Sequence, residues 1–255
     1  MRGLLLLLAV SCASDGKLPG EDTSGGADTS ADTSTDTSTD TSGDTDTDTD
    51  TDTDTDGDTA PRVDPCSPYS AIKDGRAWTW SYAESGLTGT FVSTITSFNG
   101  EHGVLHQTAN YASRDYIMAS ASDTTFHCDD GVVTDRTTSS YSGASAGTPF
   151  SGTGEVTYTA GGPALPLEID AGDDWTVRYA GESTYNPGGT SAFDYTVQYT
   201  AVNEEYVSVG AGNFTAWRLD MTTTVNGTAT NTTTWVTAGV GTVRTSSMEL
   251  ESWTE

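Results

Sequence analysis

The stretch Arg76-Ala77-Trp78-Thr79-Trp80-Ser81-Tyr82 decides the fold. Its aromatic residues occupy alternate positions, and a two-residue period is the mark of a strand that buries one face. The segment from Thr88 to Phe98 behaves in the same way and ends at Asn99-Gly100, a dipeptide suited to the positive φ angles of a two-residue hairpin turn. Similar segments follow at 103–109, 115–120, 131–137, 154–159, 175–180, 192–200, 205–209, 215–224, 230–237 and 241–252. Breakers such as Gly161-Gly162-Pro163, Asn186-Pro187-Gly188-Gly189 and Asn226-Gly227 separate them. Thr, Val and Tyr dominate over helix formers, and no window sustains apolar spacing at 3.6 residues. Phe193, Tyr195, Val197 and Tyr199 share one side of a strand whose other side is Asp194, Thr196, Gln198 and Thr200. One face is wet along its whole length, as in an antiparallel sheet with a single buried side. The expected fold is all-β. Ten to twelve such strands curl or close rather than lie flat, so the expectation is a curved antiparallel sheet or half-barrel, with a β-sandwich as the alternative.

Outward from that stretch the composition changes abruptly. The chain has 255 residues and a formal charge of -27, from 10 Lys and Arg against 37 Asp and Glu. That balance argues against nucleic acid as a partner. Hydrophobic residues reach only 34 %, yet the 6 Trp, 11 Tyr and 6 Phe all lie beyond residue 60. The reading is therefore three segments: a leader over 1–12, a polar linker over 13–60 and an all-β domain over 61–255. The linker is almost entirely Asp, Thr, Ser and Gly, ending in strict Asp-Thr alternation from Asp44 to Asp56. Low hydrophobicity and like charge predict a disordered stalk, with a coil span of about 40 Å. Asp52, Asp54, Asp56 and Gly57 match the opening of an EF-hand-type loop, but the twelfth position is Val63 where a bidentate acid belongs. Diffuse cation condensation is the plainer reading, and no metal site or cofactor is expected.

In the leader, Met1-Arg2-Gly3 supplies a positive charge and Leu4 to Val10 an apolar run too short to span a bilayer. Ala9-Val10-Ser11-Cys12 resembles the box of bacterial lipoprotein signals. That resemblance implies lipidation at Cys12, a membrane contact through the lipid and a place in the cell envelope, at the outer membrane facing the periplasm or the cell surface. Of the three cysteines, this leaves Cys66 and Cys128 as an even pair in an oxidising compartment. A disulfide between them is the first reading and two separately buried thiols the second.

A further resemblance covers roughly residues 165–253. It rests on Gly172-Asp173-Asp174-Trp175, the run from Glu205 to Trp217, Trp235, and Gly239-Val240-Gly241-Thr242-Val243. This pattern is similar to uncharacterised bacterial lipoproteins whose domains look like the half-barrel of the outer-membrane lipoprotein carriers. The glycines suit strand corners. Trp78, Trp80, Trp175, Phe214, Trp217 and Trp235 are the candidate core or ligand-lining residues, for which the partners in view are a lipid, a glycan or an envelope protein.

Other motifs carry less. Gly143-Ala144-Ser145-Ala146-Gly147 matches a nucleophile elbow, but all three histidines precede it, against the chain order of that triad. His102 and His106 share a strand face about 13 Å apart, too far for one ion. Adjacent acids such as Asp173-Asp174, Glu204-Glu205 and Asp129-Asp130 point to opposite faces and do not form catalytic pairs. The functional expectation is a non-enzymatic, lipid-anchored envelope protein presenting a binding or structural module on a stalk. The alternative is a carrier or chaperone holding lipid or lipoprotein acyl chains in the half-barrel.

Overall fold

The computed structural model of the chain describes residues 66–254. The leader, Cys12 and the Asp/Thr-rich segment with its EF-hand-like opening lie outside the described residues. Twelve strands run in chain order: β1 (Ala77–Glu84), β2 (Leu87–Phe98), β3 (His102–Ala112), β4 (Tyr116–Cys128), β5 (Val132–Ser145), β6 (Thr148–Gly161), β7 (Asp174–Asn186), β8 (Gly189–Val209), β9 (Gly212–Val225), β10 (Thr228–Thr237), β11 (Gly241–Thr245) and β12 (Met248–Trp253). No helix occurs among the described residues. Each strand pairs antiparallel with its chain neighbours, and β1 also pairs with β12 through Trp78 opposite Trp253 and Tyr82 opposite Met248. The sheet is therefore a closed barrel, where the sequence suggested a half-barrel or a sandwich. Closure removes the two exposed strand edges that an open sheet of this length would have to protect.

The alternation around Trp78 sets which side is inside. Trp78 and Tyr82 are buried, and Phe91 and Ile95 on β2 continue the same face. On β8, Val197, Tyr199 and Ala201 are buried while Asp194 and Gln198 are exposed. Outward positions are polar, largely Thr with scattered acids. A bilayer-spanning wall has an outward apolar band; among the described residues the exposed large hydrophobics are Ile117, Val202 and Tyr206.

Six glycines on the inner face sit directly opposite an aromatic residue on the next strand. The pairs are Gly89 with Tyr111, Gly103 with Phe126, Gly143 with Phe150, Gly152 with Tyr141, Gly154 with Tyr185 and Gly181 with Phe193. At each glycine a Cβ would come within 3.0 Å of the facing ring or its hydroxyl. Missing side chains let the wall bend, and the rings lie over the gaps and cover the exposed backbone. Closure of twelve strands thus rests on small residues at defined registers as much as on the apolar pattern.

The two ends differ. At the end where β1 begins, the segment 66–76 and the β6–β7 connector 162–173 form a cap. Ser67 Oγ donates to Pro166 O at 2.5 Å, tying the two cap segments together. Trp78 Nε1 donates to Val240 O at 2.6 Å, and Gly239 N donates to Pro68 O at 2.9 Å. A disulfide joins Cys66 to Cys128, the last residue of β4, with Cα atoms 4.6 Å apart. Ladder registers slip by one residue at Thr96 on β2, Asp135 on β5 and Val202 on β8, towards the capped end. Bulges add local twist; Val202, next to the inward-facing Ala201, points outward and is exposed. At the other end the wall is uneven, because β11 and β12 have only 5 and 6 residues where β5 and β6 have 14 each.

Strand lengths differ from the sequence reading in three places. Segments 192–200 and 205–209 are one strand, β8, of 21 residues. The segment 241–252 is two strands, divided at Ser246-Ser247. Residues 138–153, rich in Ser and Gly and lying between the strand segments read from the sequence, extend β5 and β6, which pair from Thr138 opposite Glu155 to Ser145 opposite Thr148. Pro149 lies at the second position of β6, next to the hairpin turn, where a proline is tolerated.

Candidate functional site

Twelve strands enclose more space than eight, whose interior side chains fill or narrow to one small ligand. Here the aromatic rings and the cap occupy most of it and leave a cavity of about 320 Å³. That lies at the low end of the roughly 300–1,000 Å³ typical of small-molecule sites. Its apolar wall includes Trp78, Trp80, Phe91, Leu105, Phe126 and Met248, with Tyr179, Tyr199 and Met221 across from them. Tyr69, Ser70 and Ile72 of the cap close its floor. The lining continues outward to Glu84 at the end of β1, Thr232 and Thr233 on β10, and the β11–β12 turn at Ser246 and Ser247. The low wall of β11 and β12 therefore forms the rim.

Of the six aromatic residues singled out from sequence, Trp78 and Trp80 line this cavity. The other four pack elsewhere. Trp175 stacks on Tyr199, with ring centroids 5.1 Å apart and planes within 2°, and its Nε1 donates to Ala164 O at 3.0 Å. Trp217 packs in the cluster around Val177, Val197 and Leu219. Phe214 and Trp235 pack against the cluster of Cys66, Ala216 and Leu250. Trp235 also lies under the Arg244 guanidinium, 5.2 Å from the ring centre, and donates through Nε1 to Glu205 Oε2 at 3.1 Å.

Polar residues recur on the inner face, Thr124, Thr137, Thr223 and Thr234 among them, and one row of them crosses four neighbouring strands. Ser93, Gln107, Ser122 and Ser139 stand opposite one another on β2, β3, β4 and β5. Gln107 Nε2 donates to Ser93 Oγ at 3.0 Å, while Gln107 Oε1 has no hydrogen-bond partner. Thr232 Oγ1, across the ring on β10, is likewise unpartnered. Leaving one buried polar atom unsatisfied costs about 1–3 kcal/mol, which a ligand group can recover. Neither residue was a sequence candidate. Yet the signal was present: Phe91-Val92-Ser93-Thr94-Ile95 and Leu105-His106-Gln107-Thr108-Ala109 each put a polar residue in the apolar register.

Charge in the cavity is sparse. Glu84 is the one charged residue in its lining among the described residues, and its Oε2 accepts a hydrogen bond from Tyr82 Oη at 2.8 Å. Burial, followed by the Glu84 contact, raises the Tyr82 phenol above the ordinary range. Burial likewise keeps the Tyr179 and Tyr199 phenols neutral well past their usual titration. The surface is suited to holding an uncharged molecule.

The remaining motifs fall outside the cavity. Ser145 ends β5, and Ala146 and Gly147 make the hairpin turn with φ of 48° and 79°, so the elbow-like sequence is a β-turn. His102 faces His127 across β3 and β4, with rings 6.0 Å apart; His106 Nδ1 pairs with Asp123 Oδ1 and His127 Nδ1 with Asp135 Oδ1, each at 2.8 Å. No cluster of three or more His, Cys, Asp or Glu suited to a metal ion occurs among the described residues. Glu205 bonds Trp235, and Asp174 accepts from Thr200 at 2.5 Å.

No protein-family model matches this chain, and no curated protein matches it. A solved structure that matches is that of a Bacteroides fragilis protein described as exported and as having a YmcC-like fold. It is 14 % identical, with a TM-score of 0.33, and the alignment covers 74 % of this chain and 100 % of that one. A likeness that loose decides nothing about this barrel, whose architecture and cavity stand on their own geometry.

Proposed function

We propose that this protein is a non-catalytic binding protein of the cell envelope, lipidated at Cys12, whose barrel holds one small apolar ligand. The cavity of about 320 Å³ behind Trp78 and Trp80 carries this reading. A packed core would have no such space, because protein interiors normally leave few voids larger than a water molecule. Enclosed apolar volume with a few polar groups is the usual form of a small-molecule site. The single carboxylate in the lining, Glu84, is engaged by Tyr82, which supports binding rather than acid–base chemistry.

The cavity also bears on the carrier alternative. A cavity of about 320 Å³ is the size of a site for one small molecule. The several acyl chains of a lipoprotein need far more, so a single small molecule is the better match. Native mass spectrometry on the full chain carrying Cys12→Ser, purified without detergent, tests the reading together with titration of the neutral probe N-phenyl-1-naphthylamine. Saturable 1:1 probe binding, weakened by Trp80→Phe or by a cavity-filling Ser93→Leu, is the expected result. Absence of saturable binding, with the folded protein intact, would overturn it.

A further inference from the structure

Resting on the reading of the cavity as a ligand site, we infer that its ligand is an uncharged amphiphile with a hydroxyl or amide head, and that Gln107 on β3 receives that head. Three observations converge. The first is the pair Ser93 and Gln107, which puts polar groups into the lining between Phe91 and Leu105, while Tyr179, Tyr199, Met221 and Val236 on the facing side are interrupted only by the threonines 232–234 of β10. A ligand matching both sides has an apolar body and one polar end.

The second is the state of the Gln107 amide. Its side chain is more than nine-tenths buried, it lines the cavity, and only one of its two polar atoms is bonded. If the amide is turned over, the NH₂ group takes the free position instead of Oε1. In either orientation one strong hydrogen-bonding atom awaits a partner, and a hydroxyl or amide can serve as donor or acceptor. Thr232 Oγ1 at the rim offers a second unpartnered site of the same kind.

The third is charge. Among the described residues no Lys, Arg or His lines the cavity, and Glu84 stands at its rim. An anionic head would lose its hydration with no cation to compensate, in the presence of a like charge. Fatty carboxylates and phosphate esters are thus disfavoured, and alcohols, monoacylglycerol-like esters and amides are favoured.

The test is displacement of N-phenyl-1-naphthylamine from the full chain carrying Cys12→Ser, at pH 8, by four ten-carbon competitors: decane, 1-decanol, decanamide and decanoate. Decanol and decanamide are expected to compete at least about tenfold better than decanoate and clearly better than decane, a margin of one hydrogen bond. Gln107→Leu, close in shape, should remove most of decanol's advantage over decane, read as the ratio of the two competitors' affinities within the same variant. Gln107→Asn, which keeps the amide but shortens its reach, controls for packing and should retain part of the advantage. If the probe binds and all four compounds compete equally, or if decanoate competes best, the head-group assignment is wrong although the cavity reading survives. If the probe itself fails to bind, the cavity reading has failed.

Discussion

Cutting the Cys66–Cys128 bridge tests whether the cap depends on this one covalent tie. The two cysteines are separated by 62 residues along the chain. In the chain-entropy model, a closed loop of that length stabilises the fold by about 4 kcal/mol through restriction of the unfolded ensemble. Both cysteines are buried, at 0 % and 7 % exposure, so the double variant Cys66→Ala/Cys128→Ala adds no new surface group and removes two packed sulfurs. At roughly 2–4 °C per kcal/mol for a domain of this size, the thermal midpoint should fall by about 8–16 °C. Differential scanning calorimetry on the full chain reads the midpoint, and urea titration adds an independent check. An unlinked denatured chain exposes more surface, so the urea m-value should rise along with the loss of stability. A midpoint lowered by under about 3 °C would refute the reasoning. A lowered midpoint with an unchanged m-value would place the loss in the native core and not in the unfolded chain. Because the tied segment includes Tyr69, Ser70 and Ile72 of the cavity floor, the variant should also release bound probe faster.

Three other outcomes are expected. Tyr82, Tyr111, Tyr179 and Tyr199 titrate above the ordinary phenol value, chiefly through burial, so the folded state holds their protons more tightly than the unfolded state. Their contribution is complete below pH ~10 and is lost as pH rises beyond it; absorbance at 295 nm should show only part of the 11 Tyr ionising at pH 11 before unfolding, and simple titration of all of them near 10 would contradict this. Gly103→Val drives a branched side chain into the Phe126 ring, which should cost about 1–3 kcal/mol in urea denaturation, with Phe126→Ala restoring part of it in the double variant. Leu250→Ala, at a position with no exposure beside Trp80 and Ala216, should cost about 2–5 kcal/mol, and a loss below 1 kcal/mol would show that the β1–β12 seam contributes little.

Much of the strand pattern was legible because it is local. Trp78, Trp80 and Tyr82 announce one face within five residues, and Asn99-Gly100 marks a turn without reference to any partner. Closure was not legible, since Trp78 meets Trp253 and that register depends on the summed twist and bulges of the whole ring. The 138–153 segment hid its strands because serine and glycine have weak β preference; its pairing comes from Tyr141 and Phe150, which cover Gly152 and Gly143 across the hairpin. The site was half legible. Aromatic content identified Trp78 and Trp80, but which tryptophans face the lumen depends on the slips near Val202 and on the hairpin β8–β9, which leans towards β12 where Ala211 N donates to Leu250 O at 2.9 Å. Gln107 broke the alternation in plain view, and only a cavity beside it gives that break a meaning.

The glycine–aromatic pairs separate two properties that most barrels couple. Backbone curvature belongs to the glycines and bore to the rings that lie over them, so the calibre of the lumen can change without altering the shape of the wall. Exchanging Phe126, the one of these six rings that lines the cavity, for a smaller residue would enlarge the chamber while the hoop stays intact. A lineage built on this scaffold could thus move between guests of different size through single side-chain changes, with its strand count, registers and cap preserved.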